Sequence, residues 1–312
     1  MNKTCKIISA CAAFVLAAGL GVAAYKSLDT EEDIPTPLIE APPPTEAPTE
    51  PPTLPAYDSF EASPDGMTEM AKIMLHKNKD YAGWIKIPNT YVDYPLLKDP
   101  GEISEDQPYY GNEFYDPNHF YLHKNFERNY EFAGSLFIDY RDNFGAVEEE
   151  QSENILIYGH NMLNLTMFGS LRNYYNDYNF WKTAPFIELS SNYADYDYVV
   201  CGNAVTSGYK ESDFVYWDME ELDTEESFDF YMDKLKEKCV FDPEVDVKFG
   251  DKLLTLSTCY GASEANMRFI LVARRLRDGE EAGNMDSIER TKEYRERQKK
   301  KEKEQKKEKE NS

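Results

Sequence analysis

Apolar residues between positions 67 and 277 recur in two patterns, one typical of helices and one typical of short strands. Residues 67–78 carry Met and Ile at helical spacing, which predicts an amphipathic helix that packs on a sheet. Residues 225–238 place aromatic and aliphatic side chains at i, i+3, i+4 and i+7, and they are predicted to be helical for the same reason. A shorter helix is predicted at 167–175 (MFGSLRNYY).

Short runs rich in β-branched and aromatic residues, separated by Gly, Asn, Asp and Pro, are predicted to be strands. They are residues 83–87, 91–97, 120–122, 135–140, 155–158, 186–189, 197–205, 252–257 and 269–275. So many short strands favour an antiparallel sheet closed into a barrel. The predicted fold class is therefore mainly β, with an N-terminal helix and a helix inserted before the strand that ends on Cys259.

Both ends of the chain lack the pattern of a folded domain. Residues 7–24 (IISACAAFVLAAGLGVAA) contain no charge and follow Lys3 and Lys6. This apolar stretch is just long enough to span the hydrocarbon layer, and the flanking lysines favour a cytoplasmic N-terminus. We therefore expect residues 1–28 to form a single-pass membrane anchor with a short cytoplasmic end.

A cleaved signal peptide and a lipid-modified cysteine are two other interpretations of this segment. The end of the apolar run offers no clean small-x-small cleavage site beyond Gly21 to Ala23, which favours an uncleaved anchor. Residues 8–11 (ISAC) resemble the box that precedes a lipid-modified cysteine, but they lie too close to Lys6 for an export signal.

The stretch that follows the anchor contains nine prolines within residues 29–57, mixed with Thr, Glu and Ala. Such a composition favours an extended polyproline form of about 3.1 Å per residue. It predicts an extracellular linker that holds the following domain, residues 58–277, away from the membrane. Residues 278–312 form a charged tail, and its Lys/Glu-rich part is compatible with either a solvated helix or a disordered segment.

The formal net charge of the 312 residues is −24, from 58 acidic and 34 basic side chains. Residues 289–310 are themselves positive, with 11 basic and 7 acidic residues, so the rest of the chain carries about −28. This charge argues against nucleic acid or an anionic membrane as the main partner.

The cysteines beyond the predicted anchor are Cys201, Cys239 and Cys259. At most two of three can pair, so at least one thiol stays free or pairs with another molecule. The apolar run from Leu253 to Thr258 ends on Cys259, and a strand that ends on a cysteine can hold the sulfur rigidly at the rim of a sheet. The alternative is a small apolar residue that merely closes a strand.

A cysteine nucleophile requires a proton acceptor or a positive neighbour, because the thiolate is the reactive form. His160 follows the predicted strand at 154–158 and the turn residue Gly159, so it also lies at a strand end. Arg268 follows Cys259 by nine residues and begins another apolar run. A loop between antiparallel strands would return its guanidinium to the thiol, where it can hold a carbonyl or stabilise an oxyanion.

The remaining histidines predict no metal site or cofactor. His119 and His123 are four residues apart, but the run between them is strand-like and no Cys or Asp partner stands at ligand spacing. His76 lies on the first predicted helix.

The anchor, the TLSTC strand at 255–259, the Tyr-Gly-His turn and the following Arg strand together resemble a sortase. Residues 158–162 (YGHNM), 134–141 (GSLFIDYR) and 91–95 (YVDYP), with the helical insertion before the cysteine strand, are similar to class B. The resemblance extends over about residues 67–276. Class C pilin-polymerising sortases usually carry a C-terminal membrane segment, whereas this chain carries a charged tail at that place.

The resemblance implies an eight-stranded β-barrel with added helices and a transpeptidase that works outside the membrane. Such an enzyme cuts a sorting signal similar to Asn-Pro-x-Thr-x after the Thr and joins the Thr carboxyl to an amine of the peptidoglycan precursor. In this chain, Cys259 would be the nucleophile, His160 the general acid and base, and Arg268 the oxyanion-stabilising or substrate-positioning group. Ser257 and Tyr158 match positions that line the cleft in relatives and are predicted to contact substrate.

The interval from Cys259 to Arg268 is about one residue shorter than in some relatives, which leaves the loop geometry open. A secreted Cys-His endopeptidase needs the same acid and base, and it remains an alternative, as does a pilin-linking transpeptidase. A non-catalytic wall or pilus component on a proline stalk is a third possibility. The predicted partners are surface proteins with a C-terminal sorting signal, the precursor amine, and the membrane through the anchor.

Overall fold

The computed structural model describes residues 66–101, 118–209, 212–217, 222–261 and 266–310. Within these residues the strands are β1 (Tyr81–Lys86), β2 (Asp93–Lys98), β3 (Leu136–Ile138), β4 (Asn154–Tyr158), β5 (Phe186–Ser190), β6 (Asp195–Ser207), β7 (Leu253–Cys259) and β8 (Met267–Arg275). The α-helices are α1 (Glu69–Lys77), α2 (Arg172–Asn176), α3 (Glu225–Glu237) and α4 (Lys292–Glu310). Short 3₁₀ helices lie at Glu148–Glu150, Phe168–Leu171 and Phe180–Lys182.

The strands close into a barrel in the order β1-β2-β3-β4-β7-β8-β6-β5, and β5 pairs back onto β1. The prediction of a closed eight-stranded barrel with a helix before it and a helix inserted ahead of the cysteine strand is confirmed. The expectation of an antiparallel sheet is wrong for two pairs, because β2–β3 and β4–β7 are parallel. Parallel neighbours require a long crossover, and β5, β6 and α3 supply it between β4 and β7.

Alternate side chains of each strand face the barrel interior and its outer surface. The interior core draws on all eight strands, and it includes Leu256 of β7 and Leu271 of β8. Leu253 and Val272 point outward into a second apolar layer that also contains the buried faces of α1 and α3. The rim positions of β7 and β8 are therefore held by packing on both faces of the sheet.

The inserted helix α3 begins and packs as its sequence predicts. Thr224 and Ser227 form a capping box, in which each side chain bonds the main chain of the other residue. Phe228, Tyr231 and Leu235 lie one above another and are buried against the barrel. The helix therefore covers the outer face of the sheet beside the cysteine strand.

The predicted strand at 120–122 is wrong, because these residues form turns. The Leu122 N–H donates to the His119 carbonyl at 3.1 Å, and the Phe120 N–H donates to the Asp99 carboxylate at 3.0 Å. Every strand of the closed barrel already has two partners. No sheet edge therefore remains for this apolar segment to join.

The structured part of the chain continues past Arg277, the predicted end of the catalytic domain. Arg274 is fully buried and forms two bonds of 2.6 Å with the Glu280 carboxylate. Ile288 is buried, and Arg290 forms a β-bridge with Val245. Helix α4 follows, so the helical alternative for the charged tail is the one observed.

None of the helices in the described ranges is both long enough and apolar enough to cross a bilayer. The predicted anchor at 7–24 and the predicted linker at 29–57 lie outside the described residues.

Candidate active site

The candidate site lies at the barrel rim, where β7 ends and β8 begins. Cys259 is the last residue of β7, and it pairs directly with Arg268 near the start of β8. Opposed residues of an antiparallel pair project to the same face of the sheet. Ile270, two residues beyond Arg268 on β8, lies on that face and belongs to the outer apolar layer. Cys259 and Arg268 are therefore on the outer face of the barrel. The loop returns Arg268 to the position directly opposite Cys259, as expected, and the placement of the guanidinium at the thiol stays a prediction.

The parallel pairing of β4 with β7 brings His160 to the same rim. Tyr158 pairs with Ser257 in the parallel ladder, and the Gly159 N–H continues the pairing by donating to the Ser257 carbonyl at 3.2 Å. His160 and Cys259 each lie two residues beyond this last pair. The ends of the two strands therefore carry the imidazole and the thiol at the same level of the barrel.

The His160 ring is held by a main-chain carbonyl and by two neighbouring rings. Its Nε2 is 2.9 Å from the Leu122 carbonyl oxygen. Because a carbonyl only accepts, Nε2 carries a hydrogen, and Nδ1 is the acceptor of the neutral ring. Phe132 stacks nearly parallel to His160 at 6.1 Å, and the His123 ring stacks at 5.1 Å.

The protonation of His160 is set by this environment. Its pKa is lowered from 6.5 to about 4. Burial is the main cause, because it disfavours the charged ring, and His123 and Arg268 act in the same direction. The Leu122 carbonyl opposes them by favouring the protonated form. At neutral pH His160 is therefore uncharged, with Nδ1 available to take up a proton.

Arg268 supplies a positive charge from the strand position opposite Cys259. It is 2% exposed, and its Nη1 donates to the Met267 carbonyl at 3.0 Å. The guanidinium lies against Gly208, where an added Cβ would be 3.5 Å from Cζ. A guanidinium keeps its charge even when buried, and its planar set of donors suits an oxyanion.

All three cysteines in the described part of the chain are free. Cys201 is buried, and burial raises the pKa of its thiol to about 12. Burial also raises the pKa of Cys239, and the nearby Asp242 carboxylate acts in the same direction. Cys259 is partly exposed and lies opposite Arg268. Of the three thiols, Cys259 has the environment that suits a nucleophile.

Ser257 and Tyr158, the predicted substrate contacts, are buried just below the rim. The Ser257 hydroxyl is 2.6 Å from the Tyr216 hydroxyl, and the Tyr158 hydroxyl donates to the Asp139 carboxylate at 3.0 Å. Asp139 also accepts from Nε and Nη2 of Arg141, at 2.9 and 3.0 Å. Both hydroxyls therefore have partners within the protein, and their contact with substrate stays a prediction.

Sequence reasoning missed two contacts that shape the site. One is the Leu122 carbonyl, because a main-chain acceptor leaves no mark on a sequence pattern. The other is Asn161, whose Nδ2 donates to the Cys259 carbonyl at 2.8 Å. Its position next to His160 in the YGHNM turn was the available signal. His123, whose spacing from His119 raised the question of a metal, stacks on His160, and no metal-binding group of three or more His, Cys, Asp or Glu occurs among the described residues.

Comparisons with known proteins identify the family and agree with the barrel fold. The sequence profile described as the sortase domain matches residues 85–276. Sortase B of Staphylococcus aureus is 30% identical over 198 residues, which span 63% of this chain and 70% of that protein. Sortase B of Listeria monocytogenes is 34% identical over 182 residues, 58% of this chain and 63% of that protein, which is just under two thirds of its length.

A solved structure of the Staphylococcus aureus sortase B–substrate complex superimposes with a TM-score of 0.55 at 26% identity, and the match covers 69% of this chain and 88% of that one. The fold and site define a closed-barrel cysteine transpeptidase. The chain belongs to the sortase family, and its relatives and structural neighbours place it in class B.

Proposed function

We propose that this chain is a membrane-anchored class B transpeptidase that cleaves a C-terminal sorting signal similar to Asn-Pro-x-Thr-x after the Thr. It then transfers the Thr carboxyl of the surface protein to an amine of the peptidoglycan precursor. The observation that carries the proposal is the direct pairing of Cys259 with Arg268 at a rim shared with His160. Membership of class B supports the choice of substrate and acceptor.

In the first half of the reaction, the Cys259 sulfur attacks the Thr carbonyl carbon. His160 is neutral at physiological pH, so its Nδ1 accepts the thiol proton as the new C–S bond forms. The carbonyl electrons move to oxygen, and the Arg268 guanidinium stabilises the resulting oxyanion. Collapse of this intermediate breaks the peptide bond, His160 returns its proton to the leaving amine, and a thioester remains on Cys259.

In the second half, the precursor amine replaces the released peptide. The amine nitrogen attacks the thioester carbon and loses a proton to His160, and Cys259 departs as the C–S bond breaks. The Cys259 sulfur regains the proton, so the enzyme returns to its starting state. Ser257 and Tyr158 are candidate substrate contacts, and either would exchange its present partner, Tyr216 or Asp139, for the substrate.

The proposed location is the outer face of the cell membrane. The uncharged stretch at 7–24 after Lys3 and Lys6 supports a single membrane span, and the nine prolines of 29–57 support an extended spacer. The barrel would then work outside the membrane and close to its surface.

The test is to incubate the purified full chain, in detergent, with a peptide that contains Asn-Pro-x-Thr-x, with and without triglycine. Mass spectrometry should detect a product in which Thr is joined to triglycine, and an acyl adduct on Cys259. Cys259→Ala should form neither, whereas the matched variant Cys239→Ala should form both. Cleavage that never yields the triglycine product would identify a hydrolytic Cys-His peptidase, and no cleavage by the wild-type protein would overturn the proposal.

A further inference from the structure

Side chains continue the pairing of β4 with β7 beyond the point where both strands end. Asn161 follows His160 in sequence, and its Nδ2 donates to the Cys259 carbonyl at 2.8 Å. The Thr258 hydroxyl also donates to the Gly159 carbonyl at 2.8 Å. The segment that carries the imidazole is therefore bonded directly to the main chain of the nucleophile.

Both ends of the Asn161 amide are used, which fixes its orientation. Nη2 of Arg172 donates to Oδ1 of Asn161 at 2.7 Å and to the Met162 carbonyl at 2.8 Å. Because a guanidinium only donates and a carbonyl only accepts, Oδ1 faces Arg172 and Nδ2 faces Cys259. A bond from Nε of Arg172 to the Gly169 carbonyl, at 3.1 Å, holds the guanidinium in turn.

Tyr175 of α2 bonds the main chain of Tyr260, the residue that follows Cys259. Its hydroxyl donates to the Tyr260 carbonyl at 2.8 Å and lies 3.3 Å from Nδ2 of Asn161. Its ring packs against the rings of Tyr260 and Phe269, each at 4.9 Å. The carbonyls of Cys259 and Tyr260 are thus both held by side chains from the 161–175 segment. We call Asn161, Arg172 and Tyr175 the brace.

We propose that Asn161 is a positioning residue for the transfer reaction. Through its bond to the Cys259 carbonyl, Asn161 sets the position of the Cys259 thiol relative to the His160 ring. The inference rests on the proposed function. One side chain next to His160 fixes the peptide plane of Cys259, so the two reacting groups move together. Misplacement of a catalytic group by about 1 Å lowers rates by about a hundredfold.

The decisive variant is Asn161→Asp in the full chain. A carboxylate has the same shape and keeps an acceptor for Arg172, but it cannot donate to the Cys259 carbonyl. We expect kcat for peptide transfer to triglycine to fall by about tenfold to a hundredfold, with KM within about twofold of wild type. Asn161→Ala loses the same donor and should show a similar fall in kcat. A merely structural role would lower the melting temperature of both variants and leave the kcat of the folded protein at the wild-type value.

The matched control is Asn164→Asp, which adds the same charge three residues away in the same loop. The Asn164 side-chain oxygen accepts from the main-chain N–H and hydroxyl of Thr166, at 3.2 and 2.7 Å, and a carboxylate can accept both bonds. Its kcat should stay within about twofold of wild type. Equal kcat values for Asn161→Asp, Asn161→Ala and wild type would overturn the inference and leave the proposed function standing.

Alkylation of Cys259 by iodoacetamide separates failure of the inference from failure of the proposed function, because it needs no peptide substrate. In Asn161→Ala, which removes the donor without adding a charge, we expect at least about a fivefold slower reaction at pH 7, since a displaced thiol loses its proton acceptor. If the wild-type protein transfers no peptide, a slowed alkylation still supports the positioning role, and an unchanged rate refutes it.

A second variant keeps the inference testable if the Asn161 variants fail to fold. Tyr175→Phe retains the ring contacts with Tyr260 and Phe269 and removes only the hydroxyl that joins the brace to the Tyr260 carbonyl. Its melting temperature should be close to that of wild type, and its kcat should fall by about threefold to tenfold. Wild-type kcat in a folded Tyr175→Phe protein would count against the brace.

Discussion

The buried, neutral state of His160 makes the stability of the fold depend on pH in a defined way. The folded pKa of the ring is about 4, whereas an exposed histidine titrates near 6.5. Between these pH values the unfolded chain binds a proton that the folded chain does not bind. The contribution of His160 to stability therefore falls as the pH is lowered from about 6.5 to about 4, and below that range the loss is complete.

The size of the loss follows from the difference between the two pKa values. Each unit of difference in pKa corresponds to about 1.4 kcal/mol, so His160 lowers the free energy of unfolding by about 3 kcal/mol at acid pH relative to neutral pH. The groups that face the ring are His123, Arg268 and the Leu122 carbonyl. Asp99 and Asp142 act in the opposite direction, because burial raises the pKa of each to about 7 and the folded chain takes up these protons at a higher pH than the unfolded chain does.

The assay is urea unfolding of wild type and His160→Gln at a series of pH values from 4 to 8. Glutamine is neutral throughout and can still donate to the Leu122 carbonyl. The difference between the two proteins cancels the contribution of Asp99 and Asp142, provided that these sites are independent of His160. We expect the variant to gain about 3 kcal/mol relative to wild type as the pH falls from 7 to 4.

An NMR titration of the imidazole signals provides the second measurement, with the His160 signal identified by its absence in the variant. Its midpoint should lie near pH 4. Parallel stability curves for the two proteins, or a His160 midpoint at 6 or above, would show that burial does not hold the ring neutral. Either result would also mean that the imidazole starts the reaction in a different protonation state.

Two further predictions concern arginines of β8. Arg268→Lys should lower the rate of thioester formation by about a hundredfold, because the planar set of donors is lost. Arg275→Lys, at the other end of the strand, is the control. Near wild-type turnover in Arg268→Lys would rule out the proposed oxyanion role. Glu280→Gln should lower the free energy of unfolding at pH 7 by about 3 kcal/mol because it leaves buried Arg274 without its carboxylate. Burial raises the pKa of Glu280, but the bonds from Arg274 and from two main-chain N–H groups outweigh it and lower the pKa to about 2. The stabilisation is therefore present above about pH 4.5 and is lost as the pH falls through about 2. A stability difference between wild type and Glu280→Gln that does not shrink at low pH would contradict this. The control Glu281→Gln changes an exposed neighbour and should alter stability by less than about 0.5 kcal/mol.

Local patterns were sufficient where the structure depends on local contacts. The hairpin that sets Arg268 opposite Cys259 was predictable, because an antiparallel pair joined by a short loop is fixed by the apolar runs on either side. Helix α3 was predictable from its apolar spacing. The prediction of a strand at the apolar triplet 120–122 was wrong, because strand propensity describes how well side chains fit a sheet surface and not whether a sheet edge is available.

The placement of His160 beside Cys259 could not be derived from local patterns. It depends on the parallel pairing of β4 with β7, two strands that are separated by about a hundred residues of chain. Sequence reasoning paired these two residues through chemical need and through the resemblance to sortases. The tertiary structure supplies the physical link, since the register of the two strands brings their ends to one rim.

The sequence by itself determined which residues are the candidates for chemistry: a cysteine at the end of an apolar strand, an arginine at the start of the next, and a histidine after a turn. Only the tertiary structure decided the state in which they are held. The Leu122 carbonyl selects the His160 tautomer, burial lowers its pKa, and Asn161 bonds the Cys259 carbonyl. These properties arise from neighbours that are distant in sequence, because burial and hydrogen-bond partners exist only once the chain has folded.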